Sequence, residues 1–101
     1  MIIYVDIDET ICYHPEGSPD QARDYKLAKP LTKNIEKANS LYDAGHTIVY
    51  WTARGAISGI DWTDVTKNQL GQWGAKHHEL RLDKPYYDIF IDDKVINVKD
   101  W

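Results

Sequence analysis

Two aspartates, Asp6 and Asp8, follow the apolar run Ile2-Ile3-Tyr4-Val5 in the stretch V-D-I-D-E-T, and a second acid pair, Asp92 and Asp93, closes D-I-F-I-D-D near the other end. Residues i and i+2 of an extended chain point to the same side, so Asp6 and Asp8 would crowd one edge, repel each other and resist desolvation. Four carboxylates gathered at one place stay ionised only if a cation joins them. Oxygen-only donors without a cysteine cluster favour a hard ion, and Mg²⁺ is the usual one where phosphate is the other ligand. A carboxylate can attack phosphorus and form an acyl phosphate that water later hydrolyses. A second carboxyl group nearby can protonate the leaving oxygen and then activate that water. Thr52 and Lys84 could supply the hydroxyl and the positive charge that a phosphoryl group needs, and Arg54 could either touch substrate or pair with an acid.

Those residues must be positioned by regular elements. I-I-Y-V-D-I, residues 2–7, reads as a buried strand, and T-I-V-Y-W-T-A, 47–53, as a second. Between them, 13–29 is polar and proline-containing, a loop or flap. Leu31, Ile35, Ala38 and Tyr42 fall at helical spacing, with Thr32 to cap a helix over 32–45 and Gly45 to end it. A second helix is expected over 61–74, capped by Asp61, with Trp62, Val65, Leu70 and Trp73 on its packed face. K-H-H-E-L-R-L, 76–82, reads as a short strand, and D-I-F-I-D-D, 88–93, as a last one. Strands alternating with helices predict an α/β protein: a three-layer, Rossmann-like parallel sheet with crossover helices. Ligands of such sheets sit at the carboxyl ends of the strands, where Asp6, Asp8, Thr52, Asp92 and Asp93 all fall.

The bulk properties narrow the field. At 101 residues the chain is one domain, and a 43% hydrophobic, 28% charged composition is that of a globular protein. A net charge of -4, with no two Lys or Arg adjacent, weighs against a broad grip on nucleic acid. Cys12 is the sole cysteine and cannot close an internal disulfide. With no membrane-length apolar run and no basic leader at the start, a cytoplasmic protein is expected.

D-I-D-E-T at 6–10, Thr52 after the apolar strand, Lys84, and the pair 92–93 together resemble the four ordered motifs of the haloacid dehalogenase-like phosphatases. The resemblance spans the chain from Val5 to Asp93. It implies Asp6 as nucleophile, and Asp8 as general acid/base that also lends a main-chain carbonyl to Mg²⁺. Thr52 and Lys84 would hold the phosphoryl group, Asp93, with Asp92 as second choice, would complete the metal shell, and Thr10 would support the turn. Glu9 stands where this family often has glycine; an ordinary backbone is expected there, with the side chain turned to solvent or to a neighbouring cation. Neither 13–29 nor 55–83 could house a substrate-covering domain, so the chain is similar to capless members over 1–101. W-T-A-R-G, R-L-D-K-P-Y-Y-D and I-D-D-K are similar to small phosphatases found with bacterial surface-polysaccharide biosynthesis, which implies a sugar phosphate as substrate.

Three functions compete. The first is an Mg²⁺-dependent phosphomonoesterase acting on a small phosphorylated metabolite. The second is a nucleic-acid end (3′-) phosphatase, against which the acidic balance counts. The third is a non-catalytic metal- or phosphate-binding module, which would not need the Asp6/Asp8 pair. A bacterial receiver domain ranks below these, because its phosphoacceptor would stand where Thr52 does. An exposed site is compatible with a homo-oligomer in which the flap or Trp101 covers a neighbour's pocket. His77 and His78 face opposite ways on a short strand and are not expected to bind metal. His14 reads as solvated in the flap, Cys12 as a small packed residue, and Trp62 and Trp73 as core.

Overall fold

The computed structural model describes residues 1–15 and 24–101, so the tip of the expected flap, 16–23, lies outside the described residues. Strand β1 (Ile2–Val5) stops one residue before Asp6. It pairs in parallel with β4 (Thr47–Trp51), in the register Ile3 to Ile48 and Val5 to Tyr50. Strand β5 (Glu79–Arg81) pairs in parallel on the other side of β4, giving a three-stranded sheet in the order β1-β4-β5. The two arms of the flap, β2 (Cys12–Tyr13) and β3 (Lys29–Pro30), form a separate antiparallel ribbon. The described chain is thus α/β with a parallel sheet, and β1, β4 and β5 are each shorter than the run expected for them.

Helix α1 (Thr32–Asp43) connects β3 to β4 and buries Ile35 and Ala38. Thr32 is its first helical residue rather than its cap; Leu31 precedes it and offers no side-chain acceptor. Gly45, at φ 96°, takes the left-handed turn that leads into β4. Helix α2 (Thr63–Gln72) connects β4 to β5. Trp62 rather than Asp61 takes the cap position; Asp61, one residue further out, accepts from the Thr63 amide at 2.9 Å. The buried side of α2 carries Thr66, Gln69 and Leu70; Trp62 and Trp73 flank the helix at its two ends, and Trp73 packs against the core as expected.

Both helices pack on one face of the sheet. Ile35, Ala38 and Leu70 share a core with Val5, Ile48 and Tyr50, which alternate to the same side of their strands. Successive crossovers that advance in one direction, β1 to β4 to β5, keep their helices on that one side. The opposite face leaves Ile2 and Tyr4 exposed at the sheet's edge. Trp101 packs on the core, and its carbonyl accepts from Lys37 Nζ at 2.8 Å, so it closes this chain's own helix layer.

The expected strand over 88–93 is absent from the described residues. Asp92 instead accepts from the Lys94 amide at 3.0 Å in a local turn. Only Pro85, Tyr86 and Tyr87 separate Lys84 from Asp88, and a parallel strand needs a crossover of about a dozen residues or more. Glu9 is a second correction: its φ is 63°, so the backbone is left-handed there, not ordinary.

Candidate active site

The loop after β1 is a single tight turn pinned by apolar anchors. Ile7 and Ile11 are fully buried, and the Thr10 and Ile11 amides both donate to the Ile7 carbonyl, at 3.1 and 2.9 Å. With Ile7 pointing inward, Asp6 and Asp8 project to the other side, toward a cavity of about 270 Å³ at the carboxyl ends of β1 and β4. Asp6, Asp8, Thr52, Arg54 and Lys84 all border it. A volume just below the ~300–1,000 Å³ typical of ligand pockets suits a small head group. Opposite the acids, Gly55 at φ 85° lets the loop 55–60 fold back so closely that a β-carbon there would run into the Ile60 carbonyl.

Lys84 Nζ lies 3.6 Å from Asp6 Oδ1. Its ammonium sits over three rings, at 5.5 Å from Trp51, 5.1 Å from Tyr87 and 5.9 Å from Phe90. Its amide donates to the Thr52 carbonyl at 3.2 Å, which fixes the backbone of Lys84 at the end of β4. The Thr52 hydroxyl accepts from the Arg54 amide at 3.2 Å, and accepting that bond leaves its own proton to be donated. Burial pushes the Asp6 carboxyl above its ordinary value, with Lys84 pulling the other way and the neighbouring Asp8 adding to the rise. Its side chain is still 38% exposed, so water screens part of that penalty.

Asp8 lives in a different environment. Burial alone would raise it too, but the Arg54 guanidinium holds its carboxyl below the usual range, helped by His14. Arg54 donates from Nε to Oδ2 at 3.0 Å and from Nη2 to Oδ1 at 2.9 Å. Its remaining Nη1 donates to Thr66 Oγ1 at 3.1 Å and Gln69 Oε1 at 2.6 Å, and its plane stacks on Tyr25 at 4.7 Å. The side chain of Arg54 is wholly buried, so of its two expected roles the geometry supports the acid partner rather than the substrate contact. His14 Nε2 sits 2.8 Å from Asp8 Oδ1. It is buried, not solvated as expected, and a contact this short needs a proton between the two atoms.

Asp92 and Asp93 do not border this cavity; both are exposed in the segment after Tyr87. Besides Asp6, the carboxylate residues bordering the cavity are Glu9 and Asp8, and the Asp8 side chain is already engaged by Arg54 and His14. One or two carboxylates, with substrate phosphate and water filling the remaining positions, are a donor set of the kind that hard divalent cations take. On distance alone Asp8, Cys12 and His14, with donor atoms within 4.8 Å of one another, could also hold a metal. Arg54 already brings a positive charge to 2.9 Å of Asp8 and 3.8 Å of Cys12 Sγ, and the buried thiol is pushed well above its ordinary value, so a thiolate–metal bond is disfavoured there.

Sequence reading did not find the buried support of Asp8: His14, Thr66 and Gln69. The spacing D-x-x-x-C-x-H was visible, but it points nowhere until the ribbon β2–β3 folds His14 back over Asp8.

No protein-family model and no curated protein matches the chain. Among solved structures it is similar to a structural-genomics target from Vibrio cholerae, at 21% identity and a TM-score of 0.82, over 97% of this chain and 84% of that one. That likeness shows the α/β fold.

Proposed function

We propose that the chain is a phosphomonoester hydrolase that works through an aspartyl phosphate on Asp6, with Mg²⁺ as cofactor and a small phosphorylated metabolite, such as a sugar phosphate, as substrate. The observation that carries the reading is the pairing of Asp6 with Lys84 Nζ, 3.6 Å apart, on the wall of a small cavity that Thr52 also lines. Lys84 and the Thr52 hydroxyl draw the phosphoryl oxygens in, and the same ammonium keeps Asp6 ionised and ready to attack. When bound, Mg²⁺ would neutralise the charge shared by the phosphoryl group and Asp6.

Asp6 attacks phosphorus as the bond to the leaving oxygen breaks. That oxygen takes the proton held between Asp8 and His14, and water then attacks the aspartyl phosphate, returning a proton to Asp8 and releasing inorganic phosphate with Asp6 free. Asp8 is held as a carboxylate by Arg54, so the proton it delivers is one that His14 shares. The parallel crossovers support a Rossmann-like framework for the reading, and its third layer would cover the Ile2 and Tyr4 face. A cytoplasmic location belongs to the same proposal.

The test is phosphate release from sugar phosphates, nucleotides and 3′-phosphorylated oligonucleotides, with Mg²⁺ and with chelator. Turnover of the small substrates that needs Mg²⁺ and disappears in Asp6→Asn supports the reading. Release confined to oligonucleotides replaces it with the end-phosphatase alternative, and Mg²⁺ binding without any release replaces it with a binding module.

A further inference from the structure

Half of the exposed large apolar side chains among the described residues, seven of fourteen, fall between Tyr86 and Ile96. Ile91 is 93% exposed and Ile89 78%, on a segment whose composition is that of a strand. The sheet ends in a bare edge, β1, whose Ile2 and Tyr4 are 72% and 48% exposed. An unpaired edge strand beside an unpaired strand-former is a mutual liability unless the two meet.

They cannot meet in parallel within one chain. Lys84 is fixed at the carboxyl end of β4 through its amide, and four Cα steps to Asp88 reach about 14 Å at full extension. Running back along the four residues of β1 takes about 13 Å, which leaves nothing for the two reversals that a parallel entry requires. A second copy is free of that constraint. We infer that two chains exchange this segment: residues 88–93 of each copy add as a parallel strand to the free β1 edge of the other, forming a two-fold symmetric dimer.

The faces agree in the register that sets residue i beside i+87. Ile89 then lies by Ile2 and Ile91 by Tyr4, all four exposed in the single chain, while Phe90 turns to the side of Ile3 and Val5. A stable interface hides about 800 Å² per partner, and the exchange covers the donated strand and the receiving edge of each copy at once. The same register sets Asp93 of one copy beside Asp6 of the other. The exchange rests on apolar surface and chain length; only this last consequence rests on the phosphatase reading.

Light scattering across a range of protein concentrations should give twice the mass of one chain; the mass of one chain throughout overturns the inference. Ile91→Lys should give single-chain mass with the helical circular dichroism signal retained, because that side chain is 93% exposed in the single chain, and a persistent dimer counts against the exchange. In an oxidised Tyr4→Cys/Ile91→Cys double variant, disulfide-linked dimers are expected, since neighbouring strands bring Cα atoms within disulfide reach. Monomers closed by an internal disulfide would overturn it. Finally, Asp6→Asn and Asp93→Asn chains, unfolded together and refolded, should recover about one quarter of wild-type turnover, since half the dimers are mixed and one of their two sites is intact. No recovery beside an active wild type refutes the shared site. An inactive wild type refutes the phosphatase reading and leaves the mass and cross-linking results to decide the exchange.

Discussion

Arg54 grips Asp8 through two nitrogens, Nε at 3.0 Å from Oδ2 and Nη2 at 2.9 Å from Oδ1, and the guanidinium that does so is completely buried. The charge that makes the second aspartate tolerable is thus built into the fold, while the first is left facing the cavity. The two carboxyls, two residues apart, are pushed in opposite directions by their surroundings.

Removing the guanidinium should be costly. Arg54→Gln leaves Asp8 desolvated without its partner, and breaking a buried pair from one side typically costs about 3–5 kcal/mol. The melting temperature should fall by on the order of 10 °C or more. Because Asp8 lies below its unfolded value near ~3.9, its contribution is fully present above that pH and is lost as pH falls through the folded value. The gap between the wild-type and variant melting temperatures should therefore narrow as pH falls below about 3.9; a gap that stays constant into acid would show that the pair does not govern acid stability.

Asp6 has the opposite sign. Its carboxyl is raised, so its ionised form is a burden on the fold above the folded value, and the burden lifts as pH falls through it. Asp6→Asn should melt at or slightly above wild type at neutral pH, by less than about 1 kcal/mol after solvent screening, with the gap closing in acid. Turnover should drop at least about 10⁴-fold. A variant that melts lower at neutral pH would mean that the Lys84 contact outweighs desolvation.

Lys84→Gln removes the one positive charge placed at Asp6 by a side chain bordering the cavity without a salt bridge elsewhere in the described residues. The expected loss is about 10²-fold or more in kcat/KM for a phosphate ester, with inorganic phosphate weaker as an inhibitor. Equal inhibition of both proteins would move the phosphate site away from Lys84.

Glu9 carries a left-handed backbone at φ 63°, which costs a residue with a β-carbon roughly 1 kcal/mol. Glu9→Gly should relieve that strain while making the unfolded chain more flexible, a net gain of under about 1 kcal/mol in urea melts. A clear loss would show that the Glu9 side chain holds the turn.

Much of this arrangement could be read from residue order. Apolar runs ending in polar residues located β1 and β4, helical periodicity located α1 and α2, and the rule that ligands gather at carboxyl strand ends grouped Asp6, Asp8 and Thr52, which share the cavity, with Asp92 and Asp93, which do not border it. Local patterns failed where long-range geometry decides. The run I-F-I at 89–91 has every mark of a strand, yet the three residues after Lys84 are too few to carry it to a parallel partner. The burial of Arg54 and His14 was equally illegible, because it depends on α2 and the ribbon closing over one carboxylate. Glu9 was misjudged because its left-handed backbone belongs to the tight turn in which its amide donates to the Cys12 carbonyl, a closure that its residue type does not advertise.

The ring of aromatic faces around the Lys84 ammonium makes the site its own optical reporter. Trp51 is held by a 2.9 Å bond from its indole to Asp83 and lies 5.5 Å from that charge. Any anion that draws the ammonium off the ring changes the local field on the indole, so intrinsic fluorescence should register occupancy even where no product is released.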